Sequence, residues 1–194
     1  MKSEQKTGLF FGSFNPIHSG HLMIASYMVE YAGLSQVWFV VSPHNPLKEK
    51  NTLLADHHRL AMVNIAIEDD LRFKASNVEF TLPKPSYTID TLTYLQEKYP
   101  GKTFFPILGS DNLPTFHKWK NWEELLKLYR FFVYPRAGVV SSQLDNHPSF
   151  EWIEAPLVTI SSTFIRQGIG QGRDLRYFLP EKVWNYIREM HFYK

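Results

Sequence analysis

Cysteine is missing from the 194 residues, which rules out a disulfide framework, a thiolate-ligated zinc and a thiol nucleophile. No apolar run approaches the ~20 residues that a membrane span needs, and residues 9–11 are too short for the core of a signal peptide. A cytoplasmic location is the expectation. An excess of one charge sign is lacking too: 21 Lys and Arg stand against 19 Asp and Glu, a formal net charge of +2. That balance suits small anionic ligands and falls short of the basic stripes of nucleic-acid binders, so neither a nucleic acid nor a membrane is an expected partner. Repeats, low-complexity tracts and linkers are absent. With 44% hydrophobic residues and a length that supports one full core, residues 1–194 read as a single domain.

What is present alternates between strand and helix patterns. Residues 9–11 run into Gly12 as a strand, and residues 22–31 carry apolar side chains at helical spacing until Gly33. Residues 37–41 form a continuous apolar run, as expected of a strand buried on both faces. Asp56 is placed to cap a second helix reaching Ile67, residues 73–82 read as extended, and residues 86–99 form a third helix closed by Pro100 and Gly101. Residues 104–108, 131–134, 152–153 and 158–160 are further extended pieces, while 122–128, 162–167 and 181–190 are helical. Residues 137–149 are the most loop-like. This alternation predicts an α/β fold with a doubly wound, mainly parallel sheet, whose ligands sit beyond the carboxyl ends of the strands.

The first strand leads into Gly12-Ser13-Phe14-Asn15-Pro16-Ile17-His18-Ser19-Gly20-His21. Two histidines three residues apart at a helix entrance can turn both rings to one side, beside backbone N–H groups that attract anions. The residues alone leave other uses open: one ring capping the helix and the other buried, or a zinc pair, although no third ligand stands at a recognisable spacing. Gly12-x-Phe14-x-Pro16-x-His18-x-Gly20-His21 resembles the signature loop of the nucleotidyltransferases with the HxGH motif. That resemblance implies that both histidines contact the phosphates of ATP and stabilise the charge on departing pyrophosphate. Near the C-terminus, Ile160-Ser161-Ser162-Thr163-Phe164-Ile165-Arg166 is similar to the same family's ISSTxIR segment. Its hydroxyls offer an N-cap with free amides and Arg166 can reach the same anion, although an ordinary capped surface helix looks alike. Gly168, Gly170 and Gly172 follow a helix rather than a strand and make no dinucleotide fingerprint. The resemblance thus assigns ATP to Gly12, Ser13, Phe14, His18, Gly20, His21, Ser161, Ser162, Thr163 and Arg166, with His18, His21 and Arg166 catalytic.

Between these motifs the chain resembles the bacterial nicotinate mononucleotide adenylyltransferases. Ser42-Pro43-His44-Asn45-Pro46-Leu47-Lys48 is similar to their SPxxPLK loop, in which the lysine meets phosphate. Pro85-Ser86-Tyr87-Thr88-Ile89-Asp90-Thr91-Leu92 is similar to their PSYTxDTL segment, whose backbone meets the nicotinate carboxylate. Leu108-Gly109-Ser110-Asp111-Asn112-Leu113 with Trp119 is similar to their GxDxL…W segment, which implies Asp111 near nucleotide hydroxyls and Trp119 stacked on the pyridine ring. Lys48, Tyr87, Thr88, Asp111 and Trp119 are therefore the expected acceptor residues. Each has a plainer reading: a solvated lysine on a proline-stiffened loop, a capping Ser86, a core Trp119. Arg59, Arg136, His44, His57, His58 and His117 are further polar candidates without an assigned role. Phe11 stands where the family often has glycine, and Ser110 where it has alanine or glycine.

The chemistry implied is direct in-line attack of the acceptor's phosphate on the α-phosphorus of ATP. Mg²⁺ arrives with ATP and is held mostly by phosphates and water rather than by a dedicated protein metal site. Pantetheine-phosphate adenylyltransferase shares the HxGH loop and is the nearest rival. A catalytically silent nucleotide-binding module and a histidine-metal hydrolase are the others.

Overall fold

The computed structural model describes residues 5–43, 53–139 and 141–194. Six strands, β1 (Gln5–Gly12), β2 (Gln36–Val41), β3 (Phe73–Ser76), β4 (Lys102–Gly109), β5 (Phe131–Tyr134) and β6 (Phe150–Trp152), form one sheet in the order β3-β2-β1-β4-β5-β6. Every pairing is parallel. The chain starts at the centre, winds outward through β2 to β3, then returns beside β1 and winds outward the other way. Connections leave β1 and β4 in opposite directions, which opens a crevice beyond their carboxyl ends.

Because side chains alternate across a strand, the apolar runs supply two cores at once. Phe10, Val37, Phe39, Val41, Ile107 and Phe132 pack on one face with α1 (Ser19–Tyr31), α2 (Asp56–Ile67), α6 (Ser162–Gly170) and α7 (Glu181–Glu189). Leu9, Trp38, Val40, Phe104, Leu108, Phe131 and Val133 pack on the other with α4 (Thr88–Lys98) and α5 (Trp122–Leu128). The doubly wound, parallel expectation is met.

Five local expectations need correction. Asp56 does not cap α2: the N-cap is Ala55, and the Asp56 carboxylate pairs instead with Arg59 at 2.6 Å. The extended reading of residues 73–82 holds only for β3, after which Val78–Thr81 forms the short helix α3. The third helix starts at Thr88 with Tyr87 as its N-cap, because the Ser86 hydroxyl donates to Glu79 instead. Residues 158–160 join no strand, and α6 runs on through Gly168 and Gly170 until Gly172, at φ 74°, turns the chain out. A 3-10 helix over Ser110–Lys118 had no signal in the pattern.

Candidate active site

The described segments after β1, β4 and β5 line the crevice. Beyond β1 the chain turns at Phe14, whose φ of 46° is rare for a bulky residue and is sustained by a buried ring packed edge-on against Phe10 and Phe39. The loop then enters α1 at His18, its N-cap. The His18 amide donates to Nδ1 of His21 at 3.2 Å, and the two rings stack with centroids 3.7 Å apart. Since that Nδ1 is an acceptor, neutral His21 carries its proton on Nε2 and is a donor there.

His18 is only 3% exposed, and its Nδ1 has no hydrogen-bond partner among the described residues. Burial, reinforced by the charge of Arg136, lowers its pKa from 6.5 to about 4, so the ring is neutral at pH 7. A buried ring nitrogen without a partner is rare enough in folded proteins to call for a reason beyond packing. Gly20 makes room for it: a Cβ there would lie 2.6 Å from Val158 and 3.1 Å from Nδ1 of His18.

The C-terminal motif closes onto this loop. Ser161 is the N-cap of α6 and accepts from the Phe164 amide, while Ser162 donates to the Pro16 carbonyl at 2.9 Å. Arg166 donates to the Asn15 carbonyl at 2.8 Å and to the Thr163 hydroxyl at 3.3 Å. The Asn15 side chain accepts from the Tyr193 hydroxyl and the Leu54 amide. Thus Ser13, Phe14, His18, Gly20 and His21 are brought together with Ser161, Ser162, Thr163 and Arg166.

The described acceptor candidates stand on two elements, the start of α4 and the 3-10 helix. Thr88 opens α4, whose first amides lack intrahelical partners, and Tyr87 precedes it with its ring under Lys120 at 4.8 Å. Lys120 also reaches Asp90 at 2.9 Å, tying α4 to the segment of Trp119. Trp119 is half-buried and stacks on the buried Phe116 with centroids 4.9 Å apart. Asp111 follows β4 with its carboxylate 3.8 Å from Nε of Arg136. Lys48 and His44 lie outside the described residues.

Of the unassigned candidates, two bond backbone carbonyls near the signature segments. Arg136 leaves β5, donates to the Val158 carbonyl at 3.4 Å and acts electrostatically on His18. Arg59 is fully buried and binds the carbonyls of Ser13, Ser42, Pro43 and Leu54. Its position on the inner face of an amphipathic helix was the available signal, since a buried guanidinium must be paired. His58 instead bonds the Tyr186 hydroxyl and packs on Phe192, away from the motifs, and His117 is exposed. Glu79 drew no attention in the sequence, yet it is 3% exposed and accepts from Ser86 and Thr91.

A cytidylyltransferase-like family model matches residues 9–168. A Flavobacterium johnsoniae protein named as a probable nicotinate-nucleotide adenylyltransferase is 52% identical over 97% of this chain and 99% of its own. A Bacteroides thetaiotaomicron protein of the same description is 47% identical over 95% and 91%. Among solved structures, Plasmodium falciparum nicotinic acid mononucleotide adenylyltransferase complexed with NaAD superposes with a TM-score of 0.82 over 98% of both chains, at 22% identity. That likeness extends the fold beyond the reach of sequence similarity. Matched along nearly its whole length at about half identity, with both signature segments meeting at the sheet's switch point, the chain belongs to the nicotinate-nucleotide adenylyltransferases.

Proposed function

We infer that the chain transfers the adenylyl group of ATP to nicotinate mononucleotide, giving nicotinate adenine dinucleotide and pyrophosphate within NAD biosynthesis. The observation that carries this reading is the grip of Ser162 and Arg166 on the Pro16 and Asn15 carbonyls beside the histidine pair. It joins a helix N-terminus, two imidazoles and a guanidinium into one anion site, as a triphosphate requires. Residues 1–194 act as one nucleotidyltransferase domain in this proposal, at work in the cytoplasm on small-molecule substrates.

An oxygen of the acceptor's phosphate attacks the α-phosphorus of ATP. The new P–O bond forms as the bond to pyrophosphate breaks, and the electron pair leaves with pyrophosphate. No protein nucleophile is needed, so catalysis is positioning plus stabilisation of developing charge. His21 donates through Nε2 to the departing phosphates, His18 acts beside it, and Arg166 and Arg136 supply fixed positive charge. Gly12, Ser13, Phe14, Gly20, Ser161 and Thr163 shape and line the ATP side. Lys48 takes the acceptor's phosphate, Thr88 and Tyr87 offer backbone to the nicotinate carboxylate, Asp111 meets hydroxyls and Trp119 carries the pyridine ring.

Among the described residues no three His, Asp or Glu side chains converge as metal ligands. The crevice offers mainly donors, with Asp111 beside Arg136, a set that fits Mg²⁺ carried in on phosphates and water. When bound, the ion neutralises phosphate charge. Turnover is expected to need Mg²⁺ and to survive a zinc-selective chelator. Pyrophosphate release should depend on added mononucleotide, and phosphopantetheine should not replace it. Equal release with phosphopantetheine, or release without any acceptor, overturns the reading.

A further inference from the structure

Behind the crevice runs a line of polar side chains centred on the buried Arg59 and Glu79, which lie outside the signature segments. Arg59 engages all five of its N–H groups. Nε reaches the Leu54 carbonyl at 3.0 Å, Nη1 the carbonyls of Ser13 at 2.6 Å and Ser42 at 2.7 Å, and Nη2 the Pro43 carbonyl at 3.0 Å and Asp56 at 2.6 Å. It therefore clamps the loop that follows β1 to the exit of β2. Ser42 continues the line electrostatically: burial raises the pKa of the Glu79 carboxyl, and the Ser42 hydroxyl beside it counters part of that rise. Glu79 in turn accepts from Thr91 inside α4 at 3.0 Å and from Ser86 just before it at 3.1 Å.

Stability alone is a poor reason for this arrangement. A buried guanidinium and a buried carboxylate met only by hydroxyls carry desolvation costs that apolar side chains of similar volume avoid. Directional hydrogen bonds supply what apolar packing does not, a fixed spacing between the segments they join. Here the segments are the phosphate loop at Ser13 and the N-terminus of α4 at Tyr87 and Thr88.

We propose that Arg59, Ser42 and Glu79 are positioning residues that set the distance between the ATP loop and the acceptor-recognising end of α4. The inference rests on the functional reading given above. In-line transfer tolerates little error in that distance, since a displacement of about 1 Å costs on the order of 10²-fold in rate. The ATP loop has further supports in Ser162, Arg166 and Tyr193, whereas Glu79 holds the start of α4 at two points, Ser86 and Thr91. Its loss is therefore felt at the acceptor first.

Steady-state kinetics on the full chain test this with Glu79→Ala, Glu79→Gln and Ser42→Ala. Glu79→Ala should raise KM for nicotinate mononucleotide about tenfold or more while KM for ATP stays within about threefold. Glu79→Gln, which keeps the shape and one acceptor oxygen while its amide NH₂ can donate to a hydroxyl, should restore KM to within about threefold of the parent. Ser42→Ala should shift the acceptor KM in the same direction by about threefold, and it leaves the fold least disturbed. Equal rises in both KM values, or a Gln variant no better than Ala, overturn the proposal. Hydrogen exchange without substrate separates this from the functional reading: Glu79→Ala should speed exchange over residues 88–91 about tenfold and leave α7 unchanged. Unchanged exchange there overturns the positioning role, whereas a parent that makes no dinucleotide overturns only the acceptor assignment. If Glu79→Ala fails to fold, Ser42→Ala carries both readouts.

Discussion

On the ATP side of the crevice, residues 146 and 151 positions apart in sequence touch directly, Ser162 on Pro16 and Arg166 on Asn15. On the acceptor side, Thr88 opens α4 while Asp111 and Trp119 stand at the two ends of the 3-10 helix, and support comes from behind, from Glu79 beneath α4 and from Phe116 beneath Trp119. One half is built from mutual contact between the residues proposed to meet ATP, and the other from support behind the residues proposed to meet the acceptor. Substitutions on the ATP side should therefore stop turnover whatever the acceptor. On the acceptor side they should change which mononucleotide is used and how well.

The largest expected effect tests the ATP side. His21→Ala removes a donor to charge that develops only as pyrophosphate leaves, and Arg166→Ala removes a fixed cation there. Each should lower kcat by roughly 10²–10³-fold with nicotinate mononucleotide saturating and with a cooperative thermal transition retained. His18→Ala belongs with them, at about 10²-fold or more. Near-parental kcat in all three would dissolve the distinction between the two halves.

His18 also sharpens it through pH. Between its folded value of about 4 and the ordinary 6.5, the unfolded chain takes up a proton that the folded chain refuses. The contribution of His18 to stability is therefore level above 6.5, falls as pH drops through that window and is level again below about 4. The loss amounts to roughly 3 kcal/mol, or about two orders of magnitude in the folding equilibrium. Urea midpoints across the window should show the slope in the parent and lose most of it in His18→Gln. Saturating ATP, by setting an anion near the ring, should lessen the slope, and an undiminished slope in His18→Gln would place the proton elsewhere.

The same contrast explains what was legible in the sequence. The apolar runs at residues 37–41 and 131–134 announced buried strands because a parallel sheet covered on both faces leaves them no polar side, and both strands are found there. The histidine loop and the Ser-Ser-Thr…Arg segment were legible as helix starts from local spacing, and both do open helices, whereas their use for ATP was read from the family resemblance. Arg59 and Glu79 were not legible as supports. Their partners are mostly backbone carbonyls and hydroxyls from other elements, and no periodicity in α2 or α3 reveals which loop a buried charge will meet. The 3-10 helix over Ser110–Lys118 was missed because its eclipsed i, i+3 spacing, with Pro114 inside, matches neither the helix nor the strand template.

Next in size is the choice between nicotinate and nicotinamide mononucleotides, which differ by a carboxylate against a carboxamide. The N-terminus of α4 presents backbone N–H groups, which only donate. Against an amide's NH₂ they stand donor to donor, and a mispaired buried polar group costs about 1–3 kcal/mol before charge-assisted bonds are counted. A preference of roughly 10²-fold in kcat/KM for nicotinate is the expected result. Comparable efficiency with both would remove α4 from recognition of the carboxylate and leave adenylyl transfer standing.

The smallest effect expected is at Trp119, and it asks whether the acceptor side separates affinity from choice. The indole lies 26° from parallel with Phe116, which is itself locked against Phe131 and Phe150, so the ring is a propped platform rather than a free side chain. Stacking of a pyridine on such a face is worth about 0.5–1.5 kcal/mol, and it is nearly blind to the group at the ring's edge. Trp119→Ala should therefore raise KM for both mononucleotides by up to about tenfold while their kcat/KM ratio moves by less than about threefold. Trp119→Phe, which keeps an aromatic face over Phe116, should recover much of the loss for both. A collapse of the ratio in Trp119→Ala would mean that the indole, and not the α4 amides, aligns the carboxylate. The two jobs on the acceptor side would then rest on one residue, and its contrast with the ATP side would narrow, since recognition and support would again be carried by groups in mutual contact.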